Sequence, residues 1–301
     1  MEQHKIKTRL GCEGKYKIMV GKKPGGIESE QRIVTDWFPN LITNGGLDRL
    51  GITSFGNSNS YCQVGSGNTP PAVTDVNLAS YVANRSYATT SVYSVDMVTL
   101  YQQNVLTYSF GLGVAEGNLA EVGIGWSSST NLFSRALILD AGGSPTTITV
   151  LSDEYLTVVY SYRMYGLLAD STGSVTFTGN LAGTYNWTLR HSAFTNYLLT
   201  KSMSDVATAP SFYEGGIGII GATPTHPSTA INGYVADAYV PGTYTSRMTM
   251  TAIPAYGNLA GGVKSISFRL GPWWQVEFDT PIPKTDQDSL SITFEMTWGR
   301  K

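Results

Sequence analysis

The sequence predicts an all-β protein built from two tandem antiparallel β-sandwich domains that arose by internal duplication, with an extended N-terminal arm. Charged residues make up only 14% of the 301 residues, against roughly 25% in typical soluble domains. Several segments alternate apolar and polar residues with the period of two that is typical of a half-buried strand. In addition, Gly-Asn-Leu-Ala occurs at 117–120 and again at 257–260, each time before a run of apolar residues.

The two halves of the chain align in pieces, and this internal repetition predicts a duplication. The offset between matching pieces falls from 153 to 140 to 134 residues along the chain, as expected if loops were shortened and strands were kept. Chance similarity of two β-rich segments is the alternative. Besides Gly-Asn-Leu-Ala, the matching segments are 64–75 with 220–230, 81–83 with 234–236, and 152–165 with 286–298.

The clearest strands are the two that close the aligned halves. In each strand, five apolar residues at alternate positions share one face, which we expect to point into a core. The two sets are Leu156, Val158, Tyr160, Tyr162 and Met164, and Leu290, Ile292, Phe294, Met296 and Trp298. We expect Ser291, Thr293 and Glu295 to face solvent or a partner. The same period predicts further strands at 106–112, 244–250, 265–270 and 274–278.

Turn-rich stretches and changes in composition divide the chain into four segments. Glycine, proline and aspartate clusters separate the predicted strands, and one short helix is expected near 42–51. The predicted boundaries are 1–51 for a basic arm with this helix, 52–166 for the first sandwich, 167–210 for a linker or insert, and 211–301 for the second sandwich.

The arm is predicted from its charge. Residues 1–32 contain eight Lys or Arg against four Glu, a net charge of +4, which leaves −6 for the remainder of a chain whose total is −2. Such a segment is either solvated and partly mobile or docked on an acidic partner. Ordering a chain segment costs roughly 1–2 kcal/mol per residue, and contacts with a partner would offset this cost. We therefore expect residues 1–35 to contribute disproportionately to contacts between chains.

The sequence offers few candidates for catalysis or metal binding. None of the three histidines has a second ligand at metal-binding spacing, and neither a nucleophile elbow nor a phosphate-binding loop occurs. Asp96, Asp140, Glu277 and Asp279 could supply the two carboxylates of a glycosidase, but their spacing selects no pair. We therefore predict a protein that is not an enzyme and has no catalytic, cofactor-binding or metal-ligating residues. The histidines are His4, His191 and His226.

The cysteines and aromatic residues leave two questions open. Cys12 and Cys62 lie in different segments, which fits a reducing site of synthesis better than a disulfide framework. The chain has 18 tyrosines and six tryptophans, including the adjacent Trp273 and Trp274. These residues could form sugar-stacking platforms, or they could belong to the core and to contacts between subunits.

The first half of the chain, over roughly residues 30–166, resembles structural proteins of tailed bacteriophages of the tail, tail-fibre and virion type. The second half departs from the pattern, because Gly261-Gly262-Val263 stands where the first half has Glu121-Val122-Gly123. The residues that carry the resemblance are Trp37-Phe38, Asn40-Leu41-Ile42, Gly46-Leu47-Asp48, Gly65, Gly67, Pro71-Ala72, Thr74-Asp75, Glu121-Val122-Gly123 and Phe133-Ser134-Arg135-Ala136.

The resemblance implies a non-enzymatic component of a bacteriophage virion, made in the host cytoplasm and assembled into a tail, baseplate or collar. The expected partners are copies of the chain in a symmetric assembly and other virion proteins, with neither a membrane span nor a specific nucleic acid. A receptor-binding or carbohydrate-binding module at a tail-fibre tip is the alternative, and a host surface glycan would then be a partner. The resemblance implies no catalytic residues.

Overall fold

The computed structural model describes residues 5–23, 28–193, 197–206, 210–224 and 228–301. The chain is predominantly β, as predicted, and its strands form several antiparallel sheets. The strands of the first half are β1 (Lys5–Gly21), β2 (Ile33–Val34), β3 (Phe38–Pro39), β4 (Leu41–Ile42), β5 (Tyr61–Gly65), β6 (Tyr81–Ser86), β7 (Thr90–Asp96), β8 (Tyr101–Ser109), β9 (Gly117–Leu119), β10 (Glu121–Gly125), β11 (Leu132–Leu137), β12 (Ile148–Val150) and β13 (Tyr155–Tyr165).

The second half continues with strands and contains one of the two short α-helices found among the described residues. Its strands are β14 (Ser171–Phe177), β15 (Gly183–Ala193), β16 (Ser211–Tyr213), β17 (Ser228–Ala230), β18 (Gly233–Ala236), β19 (Thr245–Ala252), β20 (Val263–Arg269), β21 (Trp273–Ile282) and β22 (Leu290–Arg300). The helices are α1 (Asn44–Ile52) and α2 (Tyr197–Thr200), and single 3-10 turns occur at Glu28–Glu30, Phe55–Asn57 and Gly179–Leu181.

The chain divides into two compact units, and neither is continuous in sequence. Unit 1 comprises residues 1–11, 95–101 and 165–299, and unit 2 comprises 12–94, 102–164 and 300–301. The observed division therefore differs from the boundaries predicted above. The difference arises because segments expected to be an arm and a linker are strands within the units.

Unit 1 contains two sheets that contact each other through buried aromatic rings. One sheet has the strand order β18-β19-β22-β1, and the other has the order β14-β15-β21-β20-β16-β17. Phe268 of β20 stacks on Phe294 of β22 with ring centroids 3.7 Å apart. Both rings are buried, so the core of this unit lies between the two sheets.

Unit 2 also contains two larger sheets that contact each other through buried aromatic rings. One sheet has the order β1-β13-β8-β7, with β2 and β3 paired to β1, and the other has the order β4-β11-β10-β5-β6. A small pair, β12-β9, completes the unit. Phe133 of β11 meets Tyr162 of β13 edge to face at 5.3 Å, and Phe55 stacks on the same tyrosine at 4.0 Å.

The predictions for the closing strands are confirmed for their apolar faces. All ten alternating residues of β13 and β22 are buried, and the four other predicted strands correspond to β8, β19, β20 and β21. One expectation is wrong. Thr293, expected to face solvent or a partner, is buried within its own chain, where its hydroxyl pairs with that of Thr249 on the neighbouring strand at 2.8 Å.

The expected N-terminal arm is instead a 17-residue strand, β1, so this prediction is corrected. Every second side chain is buried from Leu10 to Ile18, which orders the segment against its own chain. Its charges are also paired internally. Lys22 lies 2.6 Å from Asp153, and Arg32 donates two hydrogen bonds to Glu154 at 2.6 and 2.7 Å. Residues 1–4 and 24–27 of the predicted arm lie outside the described residues.

The expected linker at 167–210 is also corrected, because it contains β14 and β15. In β15, alternate residues from Tyr185 to His191 are buried, and the strand pairs with β14 on one side and with β21 on the other. A strand with a neighbour on each side belongs to the body of a sheet. Residues 194–196 and 207–209 of this segment lie outside the described residues.

Two local predictions have different outcomes. The short helix is confirmed as α1, whose N-cap Thr43 accepts a hydrogen bond from the Gly46 amide at 2.9 Å, as an N-cap residue should. The aligned segments 81–83 and 234–236 do not lie in corresponding strands. The first segment lies in β6 and pairs with β5, whereas the second lies in β18 and pairs with β19.

Phe294 provides a test of the core of unit 1. We expect Phe294→Ala to lower the free energy of unfolding by about 3–5 kcal/mol, because the cavity would remove the contact with Phe268. Chemical denaturation gives this quantity. The matched control is Tyr256→Ala, which removes an aromatic ring that is 47% exposed. A loss well under 1 kcal/mol for the Phe294 variant would contradict the assigned core.

Candidate functional site

Two long loops are held in place by polar side chains of the neighbouring strands. The first, called the 66–80 loop, joins β5 to β6 in unit 2. The second joins β16 to β17 in unit 1, and its described part is called the 214–224 loop. The aligned segments 64–75 and 220–230 overlap these loops in part, but the sequence predicted no role for them.

Glu121, the first residue of β10, is fully buried and holds both ends of the 66–80 loop. Its carboxylate accepts backbone hydrogen bonds from Gly67 at 3.1 Å, Ala79 at 3.0 Å and Ser80 at 2.7 Å. Arg135 of β11 adds a charged hydrogen bond from Nε at 2.8 Å. The buried negative charge is thus matched by one positive charge and three amide dipoles, as burial of a carboxylate requires.

Arg135 extends the same network into the middle of the loop. Its Nη1 donates to Asp75 at 2.7 Å, and its Nη2 donates to the carbonyl of Thr69 at 2.8 Å. Asp75 in turn accepts the amide hydrogen of Ala72 at 2.8 Å. The guanidinium therefore links a buried strand to two separate points on the loop, which fixes the position of the loop relative to the sheet.

Glycine is required where the loop passes the carboxylate. A Cβ atom on Gly67 would lie 2.5 Å from Glu121 Oε1, and a Cβ atom on Gly65 would lie 2.6 Å from the same oxygen. Both distances are too short for real contacts. The absence of side chains lets the backbone approach closely enough for its amides to bind the carboxylate.

The 214–224 loop is held by a similar device. Glu277 of β21 accepts the amide hydrogen of Ile217 at 3.2 Å and pairs with Lys264 of β20 at 3.2 Å. A Cβ atom on Gly216 would lie 2.9 Å from Glu277 Oε1. Here too a glycine passes directly over a carboxylate that receives a loop amide.

Gln275 and Arg190 complete the attachment of this second loop. The buried Gln275 accepts the amide hydrogen of Gly218 at 3.0 Å and donates to the carbonyls of Gly218 and Ile219, both at 3.2 Å. Arg190 donates to the Gly218 carbonyl at 3.0 Å. Four polar contacts thus fix two consecutive residues at the centre of the loop.

Both loops present apolar side chains to solvent. In the 66–80 loop these are Val73 and Val76, the latter 59% exposed, and in the 214–224 loop Ile219 is 77% exposed. The polar contacts join the loops to strands of the sheets, whereas these apolar groups are exposed to solvent. A rigid loop with exposed apolar groups is suited to contact with another protein, because little conformational entropy is lost on binding.

The carboxylates considered for glycoside hydrolysis each have contacts with nearby backbone. Asp96 accepts from the amides of Val98 and Thr99. Asp140 accepts from two amides in its own turn, and Asp279 accepts from the amide of Asn186. Together with Glu277, these groups hold turns and loops in place.

The aromatic pair considered for sugar stacking is divided between core and surface. Trp274 is buried, and its indole nitrogen donates to the carbonyl of Leu270 at 3.0 Å, whereas Trp273 is half-buried. The buried ring stacks on His191 with centroids 4.2 Å apart. The Nε2 atom of His191 accepts the amide hydrogen of Leu167 at 3.1 Å, so this nitrogen carries no proton.

Glu121 and Arg135 were noted in the sequence as residues of the resemblance, but the network they form was not predicted. A signal was present, because Arg135 lies within a six-residue strand in which every residue is buried. A charged residue in such a strand must be paired. The sequence could not identify the partner, which lies 14 residues away on the adjacent strand.

Replacement of Glu121 tests the first network. We expect Glu121→Gln to lower the free energy of unfolding by about 3–5 kcal/mol, because Arg135 would lose its buried counter-charge. Chemical denaturation measures the change, and the matched control is Glu116→Gln at an exposed position in the same unit. Equal stability of the two variants would show that the network does not hold the fold.

The burial of His191 predicts a pH dependence. Burial lowers the pKa of this imidazole to about 4, from an ordinary value of 6.5, so the folded protein binds the proton less readily than the unfolded chain. Stability should therefore fall as the pH drops from about 6.5 towards 4, by about 3 kcal/mol in total. Unfolding measured across this range should show a shallower dependence in His191→Gln, and an unchanged slope would contradict the assignment.

The described part of the chain was also searched for metal-binding clusters and membrane-spanning helices. Within it, no group of three or more His, Cys, Asp or Glu side chains is placed to hold a metal ion, and no helix has the length and apolar character needed to cross a membrane. His4 and His226 lie outside the described residues. Comparison of the chain with protein families, curated proteins and solved structures found no match.

Proposed function

We propose that this chain is a non-enzymatic structural component of a bacteriophage virion, within a tail, baseplate or collar, and that it acts through assembly with other proteins. The proposal starts from the resemblance of residues 30–166. The observation that carries it is the role of the residues behind that resemblance. Gly67, Asp75, Glu121 and Arg135 form one network that shapes a loop. The residues that carry the resemblance thus hold a loop in place, and in doing so they present a surface.

An internal duplication is part of the proposal, and strand order supports it. Starting from β1, unit 1 has the order β22-β19-β18 and unit 2 has β13-β8-β7. The other sheets correspond as β15-β21-β20-β16-β17 and β4-β11-β10-β5-β6. When the strands are matched in this way, the matched strands occur in the same order along the chain in both units. We infer two copies of one β-sandwich, with β14 added to the copy in unit 1.

The two loops are the surfaces through which we propose that neighbouring subunits make contact. They join corresponding strands in the two units, and each places exposed apolar groups above a polar attachment. Val76 and Ile219 are the most exposed of these groups. Copies of the chain and other virion proteins would be the partners, and the protein would act within the virion after synthesis in the host cytoplasm.

The alternative is a receptor-binding or carbohydrate-binding module at a tail-fibre tip. Exposed tyrosines in unit 2 favour it, since Tyr81 is 42% exposed and Tyr87 is 70% exposed, and exposed aromatic rings can stack on sugars. A glycan array probed with the purified protein would distinguish the two functions. Saturable binding that Tyr87→Ala abolishes would favour the alternative.

Incorporation into particles tests the proposed function. We expect mass spectrometry of purified virions to detect the chain in several copies per particle. Val76→Asp should reduce incorporation about tenfold while the protein stays folded, because a charge would be placed in an apolar contact. Leu151→Asp, at another exposed position in the same unit, is the control. Absence of the chain from particles would contradict a virion role, and equal incorporation of both variants would contradict the assignment to the loop.

A further inference from the structure

Strand β7 ends the order β1-β13-β8-β7, and its side chains are open to solvent. Six of its seven residues are exposed, and the seventh, Asp96, is half-buried. Val92 is 59% exposed and Tyr93 is 44% exposed. No described strand pairs with the outer side of β7, and backbone amides and carbonyls along such an edge can bind a partner strand. The strand therefore offers both hydrogen-bonding groups and apolar side chains to a partner.

The inward side of β7 lacks the cover that the rest of its sheet has. Ser91 donates from Oγ to Asn104 Oδ1 at 3.0 Å, and Asn104 belongs to the buried face of β8. Because side chains alternate along a strand, Tyr93 and Val95 lie on the same face as Ser91. Both are more than 40% exposed, so no other described part of the unit fully covers the core-facing side of the sheet at β7.

The strand also lacks two features that usually prevent edge strands from pairing. Lysine and proline serve this purpose in natural sheets, but residues 90–96 read Thr-Ser-Val-Tyr-Ser-Val-Asp. Exposed apolar residues also follow one another along the strand and the turn after it. Val92, Tyr93, Val95, Met97 and Val98 are each more than 40% exposed. Neighbouring exposed apolar groups of this kind favour an interaction surface.

We propose that β7 pairs with β7 of a second copy of this chain, antiparallel and about a two-fold axis at Tyr93, so that one sheet continues from one copy into the other. The inference deepens the assembly role proposed above by assigning one of its contacts. Tyr93 is the central residue of the strand, so an axis there aligns all seven residues. Two-fold pairing is the commonest arrangement of identical subunits.

The position of the charge on β7 is compatible with self-pairing and favours the antiparallel orientation over the parallel one. Asp96 is the one charged residue of β7, and antiparallel pairing places it opposite Thr90 of the partner strand. The two Asp96 carboxylates then lie about 20 Å apart, beyond the screening length of roughly 8–10 Å. Parallel pairing would bring them together. The remaining opposed pairs, Ser91 with Val95 and Val92 with Ser94, carry no charge.

Disulfide cross-linking tests the register. The native Cys12 and Cys62 are buried, so an introduced surface cysteine can be oxidised selectively. Tyr93→Cys places the thiol opposite itself in the proposed pair, and we expect a covalent dimer under mild oxidation. Thr90→Cys is the matched control, since its thiol would lie about 20 Å from its counterpart. Cross-linking of the control in preference to Tyr93→Cys would overturn the proposed register.

Sedimentation of the purified full chain tests the contact itself. We expect a reversible dimer, and we expect Val92→Lys to weaken it about tenfold or more by placing a charge in the edge contact. Val114→Lys, at a similarly exposed valine outside the strand, should leave it unchanged. A chain that remains monomeric at all concentrations, or a dimer that Val92→Lys leaves intact, would overturn the proposal. Detection of the chain in virions is independent of either result, so the proposed function can stand or fall separately.

Discussion

A carboxylate removed from water must find all its partners within the protein, and this requirement governs the structure around Glu121. Three amides from two ends of a loop and one guanidinium from a neighbouring strand supply the partners. None of these groups is adjacent to Glu121 in sequence, so its burial requires the strands β10 and β11 and the whole 66–80 loop to form together. Leaving one charge of the pair without its partner would cost about 3–5 kcal/mol, a large share of the roughly 5–15 kcal/mol that stabilises a typical domain. The network therefore couples the loop to the core.

Unit 1 meets a related requirement with a different arrangement of charge. In unit 2 the glutamate stands on β10 and the arginine on β11, whereas in unit 1 the lysine stands on β20 and the glutamate on β21. The order of charges is thus reversed between corresponding strand pairs. Glu277 keeps a 30% exposed side chain, and the buried Gln275 makes most of the loop contacts. If the units are copies, the loop attachment was kept while the residues that provide it changed.

The sequence predicted the elements whose pattern is local. In β13 and β22, large apolar residues alternate without interruption, so their faces could be assigned correctly. In β1 the same period is present from Leu10 to Ile18, but the small residues Cys12 and Gly14 occupy the inward positions. Lysines on the outward side then dominated the composition and suggested an arm. The partners of Glu121 could not be predicted, because pairing between distant segments leaves no spacing in the sequence.

Loop attachment and the open edge of β7 represent two ways of preparing a surface for contact. Polar groups beneath the 66–80 loop fix its conformation before any partner arrives, which reduces the entropy lost on association. The edge of β7 is already extended, and its backbone groups fix the direction from which a partner strand can approach. Apolar side chains alone would allow many orientations of a neighbour. The hydrogen bonds at an edge permit few, and repeated subunits can form a regular assembly only when the orientation is the same at every contact.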